Sequence, residues 1–233
     1  MTADDVRRVA HRVRCLIDLN ETKLCDEFFP AHLSIALIDA IFTANRKYAL
    51  VKPIVKRYCQ RFSLNRVRQD RTTLPPAGEQ ETLSDLVGHY ETLGLDELQE
   101  TVFRVRWPAH PSTKTLRSEN VRRAAIALRD IGVETLQDIQ LKRPDEIKCA
   151  LSPLRGIGDR TVHMFLMYVG HDDFVKGDVH VCRFVADALD KPRVSAKEAE
   201  LLVASAAQVL DVAPRLLDYG IWDYQSKRRL RRT

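Results

Sequence analysis

Apolar residues recur along most of this chain at helical spacing. Val6, Val9, Val13, Leu16 and Ile17 predict a helix over 3–19. The segment AHLSIALIDAIFTAN, residues 31–45, is apolar on too many sides for an exposed helix and predicts a central one. Residues 49–61 continue as a helix with Pro53 in the first turn. The arginine-rich stretch 62–78 ends in LPPAG and reads as a loop. ETLSDLVGHYETLG then predicts a helix over 81–93, stopped by Gly94, with a short helix over 96–104. WPAHPST at 107–113 breaks the pattern. Residues 118–130 resume a helix, with Ser118 as the N-cap and Gly132 as the stop. LQDIQ and DEIKCALS predict two shorter helices, and TVFRVRW is the one short segment of strand type. The fold class expected from this pattern is all-α, built from short helices rather than long bundle helices.

Composition narrows the class. The 233 residues suffice for one large domain or two small ones. No apolar run approaches membrane-spanning length, and MTADDVRRVAHRVR has no signal-peptide core, so a soluble intracellular protein without membrane contact is expected. The five cysteines, at 15, 25, 59, 149 and 182, form no CxxC, and the seven histidines form no paired ligand motif. No metal site is expected from these spacings. Lys plus Arg total 37 against 32 Asp plus Glu, a net charge of +5 that decides little by itself. Its placement says more. Arg61, Arg66, Arg68 and Arg71 form one cluster, and Lys114, Arg117, Arg122 and Arg123 a second. Lys227, Arg228, Arg229, Arg231 and Arg232 form a third at the tail. Each is a candidate phosphate-binding surface or a merely solvated one.

The most informative stretch is LSPLRGIGDRTVHMFLMYVG, residues 151–170. Two glycines flank Ile157 between two helices. Glycine permits a tight turn and the close approach of another backbone, such as a phosphodiester chain. The helix that follows opens with unpaired N–H groups that favour an anion. Leu154 and Ile157 are placed to anchor the hairpin. The plain alternative is a helix–turn–helix corner with no ligand.

This pattern resembles the helix-hairpin-helix element of the helix-hairpin-helix DNA glycosylase superfamily, the group of the endonuclease III and adenine glycosylase types. The likeness continues through Gly177-Asp178-Val179-His180-Val181-Cys182-Arg183, where Asp178 matches the family's essential aspartate. His180 and Arg183 match positions that support the next helix. AHLSIALIDAIFTAN resembles the family's first barrel helix and places Asn45 at a polar position that fills or probes the DNA. SENVRRAAIALRDIG matches the helix leading into the hairpin. The resemblance implies two helical domains with a DNA-binding cleft between them. One domain is discontinuous, 1–30 plus 190–233; the other is a barrel-like 31–189 that carries the hairpin. Residues 62–113 match nothing clearly and stand as a candidate substrate-specific part.

Two departures shape the implied chemistry. Bifunctional members carry a catalytic lysine two residues after the second hairpin glycine, where this chain has Arg160. Arginine stays protonated and is a poor Schiff-base nucleophile, so a lyase step through this position is not expected. No cysteine follows Arg183, so the iron–sulfur loop is not expected either. The resemblance implies a monofunctional glycosylase that flips a damaged or mismatched base out of double-stranded DNA and hydrolyses its N-glycosidic bond at Asp178. Arg155, Gly156, Ile157, Gly158, Arg160 and Thr161 would contact the backbone, with Lys47 and His180 as further DNA contacts. No organic cofactor is implied; a monovalent cation at the hairpin carbonyls is the one candidate ion. A monomer is expected, cytoplasmic or nucleoid-associated in a bacterium and nuclear in a eukaryote. Asp39, an acid inside an apolar run, is a candidate second catalytic acid or a buried structural carboxylate. Tyr48 is a candidate pocket residue, and Trp222 and Tyr224 read as packing residues. The competing functions are a catalytically inactive DNA-binding or damage-recognition protein on this fold, and a helical protein-interaction domain.

Overall fold

Every residue from Leu33 to Thr43 is buried, and this segment forms one continuous helix. Burial on all faces requires neighbours on all faces, and that makes it the axis of its unit. The computed structural model describes residues 1–230. Among them are twelve α-helices: α1 Ala3–Leu16, α2 Leu33–Thr43, α3 Tyr48–Arg61, α4 Leu83–Leu93, α5 Leu95–Leu98, α6 Arg117–Arg129, α7 Leu136–Leu141, α8 Pro144–Leu151, α9 Asp159–Tyr168, α10 Val179–Leu189, α11 Ala196–Leu210 and α12 Pro214–Leu230. Capping boxes at Thr2/Asp5, Thr82/Asp85 and Thr135/Asp138 start α1, α4 and α7. The described residues contain no β-strand, only isolated bridges at Pro30–Val67 and Pro108–Leu116. The all-α class is therefore observed.

The chain divides into two units. Asp26–Gly170 forms one, in which α2 packs against α3, α6 and α9. Met1–Cys25 with His171–Thr233 forms the other, where α1, α10, α11 and α12 share a core of Val9, Val13, Phe184, Leu202, Leu217 and Ile221. The junction falls at 170/171 rather than near 190. The reason is α10, whose apolar face packs on α1, α11 and α12. Asp178 therefore belongs to the terminal unit, while the hairpin belongs to the other.

Several local expectations change. Pro53 lies inside α3, because that helix starts at Tyr48. Ser118 is not an N-cap; Leu116 is, and the Ser118 hydroxyl donates to Gln99 Oε1 at 2.5 Å. TVFRVRW is not a strand. Its first half is a π-type turn, Gln99–Phe103, which buries Val102 and Phe103 and ends at Arg104 in the left-handed region, φ 57°. The helix expected over 81–93 is present as α4, and its start is tied down by a buried acid. Glu81 accepts from the Tyr58 hydroxyl and pairs with His89 Nε2, both at 2.8 Å, and its own N–H donates to His32 Nδ1. Burial lowers the His32 pKa, and a neutral ring is what that acceptor role requires.

Candidate active site

Asp178 stands at the N-cap of α10 in extended backbone. Its Oδ1 accepts from the N–H groups of His180 at 2.8 Å and Val181 at 3.1 Å. Two N–H donors at the positive end of a helix thus hold this oxygen in place. Oδ2 lies 4.0 Å from the Lys176 ammonium, and both side chains are about four-fifths buried, 19% and 20% exposed. One oxygen is thus an anchor, and the other faces the Lys176 ammonium beyond hydrogen-bond distance.

The loop that delivers Asp178 is held by two further acids. The Lys176 N–H donates to Asp218 Oδ1 and the Gly177 N–H to Glu200 Oε1, both at 2.9 Å. Asp218 comes from α12 and Glu200 from α11. Gly177 has to be glycine: a Cβ there would sit 2.7 Å from both Ala196 O and Glu200 Oε1. Burial first, and then the Asp178 charge, push the Asp218 carboxyl up to about 8. Asp218 is therefore largely protonated near neutral pH. Sequence reasoning missed Glu200, Asp218 and Lys176. For Asp218 a signal existed, an acid flanked by apolar residues in RLLDYGI, the same signal that singled out Asp39.

The hairpin forms between α8 and α9, with Gly158 as the N-cap of α9. Its glycines do different work. Gly156 has φ +99°, and a Cβ there would meet the Ala109 carbonyl oxygen at 2.5 Å. The backbone that approaches Gly156 is the protein's own. Gly158 has ordinary φ and open space around it. Ile157 is buried and its N–H is spent on Leu154 O at 2.9 Å, so it anchors the turn rather than offering an amide. Thr161 is 7% exposed, which withdraws it from the expected phosphate contacts. Arg155, Gly158 and Arg160 are exposed. The Leu154 and Arg155 carbonyls each accept one hydrogen bond, from Ile157 N–H and Asn120 Nδ2. Each keeps a lone pair that suits a monovalent cation.

Asp39 is enclosed rather than open. It is 4% exposed, and its oxygens accept from Thr43 at 3.0 Å, Tyr48 at 2.9 Å and Tyr168 at 3.1 Å. Burial pushes its pKa up to about 6, against the three hydroxyl donors that lower it. With three internal partners it acts as a tie between α2, α3 and α9, and the proton-donor role expected of it loses its basis. Tyr48 is part of the same tie.

The remaining expected contacts separate. Asn45 is exposed in the left-handed region, φ 54°, and Lys47 is the exposed N-cap of α3. His180 is half-buried and serves Asp178 through its backbone N–H. Two of the four arginines of the first cluster are neutralised: Arg66 pairs with Glu27 at 3.0 Å and Arg71 with Asp26 at 2.5 Å. In the second, Arg117 is buried and donates to the Ile41 and Phe42 carbonyls, capping the end of α2, while Arg123 pairs with Glu119. Burial, and then the charge of Arg46, lower the Arg117 pKa to about 10. In the tail, Lys227 pairs with Asp223; the side chains beyond it lie outside the described residues. Trp222 stacks on Tyr219, and Tyr224 meets Phe184 edge-on. No three His, Cys, Asp or Glu side chains converge as a metal set among the described residues.

Comparison with solved structures places the fold. The Schizosaccharomyces pombe 3-methyladenine DNA glycosylase Mag1, in complex with abasic DNA, matches with a TM-score of 0.60 at 13% identity, covering 94% of this chain and 95% of that one. MBOgg1, in complex with a low-affinity DNA ligand, matches at 0.58 and 16% identity over 84% of this chain; the match spans 60% of the MBOgg1 chain. Endonuclease III, in a trapped covalent intermediate with DNA, matches at 0.55 and 16%, covering 95% and 84%. At these identities the likeness shows the fold: that of the helix-hairpin-helix DNA glycosylases. No curated protein matches. The family model described as a domain of unknown function, DUF8548, matches residues 7–226, and the chain belongs to that family.

Proposed function

We propose that the protein is a monofunctional DNA glycosylase with Asp178 as its catalytic residue. The observation that carries this reading is the split use of that carboxylate: Oδ1 fixed by two amides of α10, Oδ2 accepting no hydrogen bond among the described residues. Breaking an N-glycosidic bond builds positive charge on the deoxyribose. A carboxylate fixed in this way stabilises that charge and orients or deprotonates the attacking water. The target nucleotide leaves the stack so that its anomeric carbon becomes reachable. Water adds to that carbon, the base departs with the bonding electrons, and a proton replaces the sugar on the base.

The exposed N-terminus of α9, with Arg155 and Arg160, holds the backbone without reading sequence. A monovalent cation on the Leu154 and Arg155 carbonyls would add positive charge for a phosphate, and no step runs through it. Arg160 in place of an amine nucleophile argues for hydrolysis without strand cleavage.

The test is an excision screen over duplexes with alkylated, oxidised, deaminated and mismatched bases, with D178N as the pair. Asparagine caps helices about as well as aspartate, so D178N keeps the cap and loses only the charge. Wild type should release one class of base, and D178N should be slower by about 10²- to 10⁴-fold. Damage binding by both proteins, with no base released by either, would instead support a non-catalytic recognition protein.

A further inference from the structure

Residues 107–117 form a closed loop whose ends are paired. Ala109 N–H donates to Thr115 O at 2.8 Å, Arg117 N–H donates to Trp107 O at 2.9 Å, and Pro108 bridges Leu116. Inside it, Thr113 N–H donates to His110 O, and Thr115 N–H donates to the Thr113 hydroxyl, both at 3.1 Å. This loop is seated on the hairpin. The Ala109 carbonyl occupies the space that a side chain at position 156 would need. The Arg155 guanidinium donates to Ser112 Oγ at 2.6 Å, and Ser112 Oγ contacts His110 Nδ1 at 2.7 Å. Because the Ser112 backbone N–H also donates to Nδ1, that nitrogen is an acceptor and the ring proton sits on Nε2.

Arg155, Arg160 and Lys114 are exposed. Arg160 and Lys114 have no acidic partner among the described residues. The nearest acid in the hairpin, Asp159, is taken by Lys148 at 3.0 Å. Of the two basic clusters read from sequence, Arg66, Arg71 and Arg123 are paired with acids and Arg117 is buried, whereas Lys114 keeps its charge exposed on a loop bonded to the hairpin.

We propose that the 107–117 loop is a second phosphate-contacting element, continuous with the hairpin, and that its occupant is the backbone of duplex DNA. This rests on the reading of the hairpin as a DNA contact. Lys114 supplies the charge, and the Arg155–Ser112–His110 chain fixes the loop where the charge is useful. Lys114 contributes affinity without base recognition, since an ammonium is a point charge that suits a phosphate.

The full chain is titrated with an undamaged duplex and with a duplex carrying an abasic-site analogue, by fluorescence anisotropy over a range of salt. K114A should weaken both about 3- to 10-fold and reduce the salt slope by about 1. K197A, which removes one exposed lysine from α11, is the charge control and should leave affinity in place. R160A reports on the hairpin alone. If R160A weakens binding and K114A does not, the loop proposal is overturned while the hairpin reading stands. Equal weakening by K197A and K114A overturns it too, since bulk charge then suffices. A wild type with no salt-dependent affinity removes the hairpin reading itself.

Discussion

At the residue scale, the two hairpin glycines separate a steric requirement from a permissive one. G156A forces a side chain into a backbone oxygen at a φ that L residues rarely adopt. It should cost at least about 1–3 kcal/mol of stability in denaturant titration. G158A meets open space at ordinary φ and should change stability by less than about 0.5 kcal/mol. The buried acids make a second residue-scale prediction. Asp218 is raised to about 8 and Asp39 to about 6, both above the unfolded aspartate value. The native state therefore holds protons that the unfolded chain releases above about pH 4. Their contribution is complete below about pH 4; it is lost as pH rises through about 6 for Asp39 and about 8 for Asp218. Asparagine mimics the protonated acid at Lys176 N–H, so D218N should flatten the fall in melting temperature between about pH 4 and pH 8. An unchanged profile in D218N would contradict the assignment.

At the element scale, what was legible in the sequence was what depends on near neighbours. α2 is readable because eleven consecutive buried residues leave no polar face, and the hairpin because its anchors and glycines lie within one short run. The role of Gly156 was not readable, since the group it accommodates is Ala109, 47 positions away in the chain. Arg117 is a similar case. Its spacing suggested a basic cluster, but its partners are the carbonyls that end α2. R117M should leave those carbonyls unpaired and lower stability by about 2–3 kcal/mol, measured by urea unfolding. It should do so without changing the salt slope of DNA binding, because the guanidinium is buried. R160A should behave the opposite way, keeping stability and losing affinity.

At the scale of the whole molecule, charge excess was a poor guide to a surface. Arg66, Arg71 and Arg123 spend their charge on Asp26, Glu27 and Glu119, while Arg160 and Lys114 keep theirs exposed on the hairpin and on the loop bonded to it. The aspartate implied by the family likeness lies in the unit built from both chain ends, where α11 and α12 supply the acids that hold its loop. Glu200 and Asp218 were invisible to a reading of the 151–183 stretch because they arrive from later helices. The central claim is that this carboxylate breaks a glycosidic bond. The direct measurement is single-turnover base release from the modified-duplex panel by wild type and D178N, with DNA affinity measured in parallel. The account predicts release of one class of base by wild type, a loss of about 10²- to 10⁴-fold in D178N, and equal affinity for both. Full excision by D178N would contradict it.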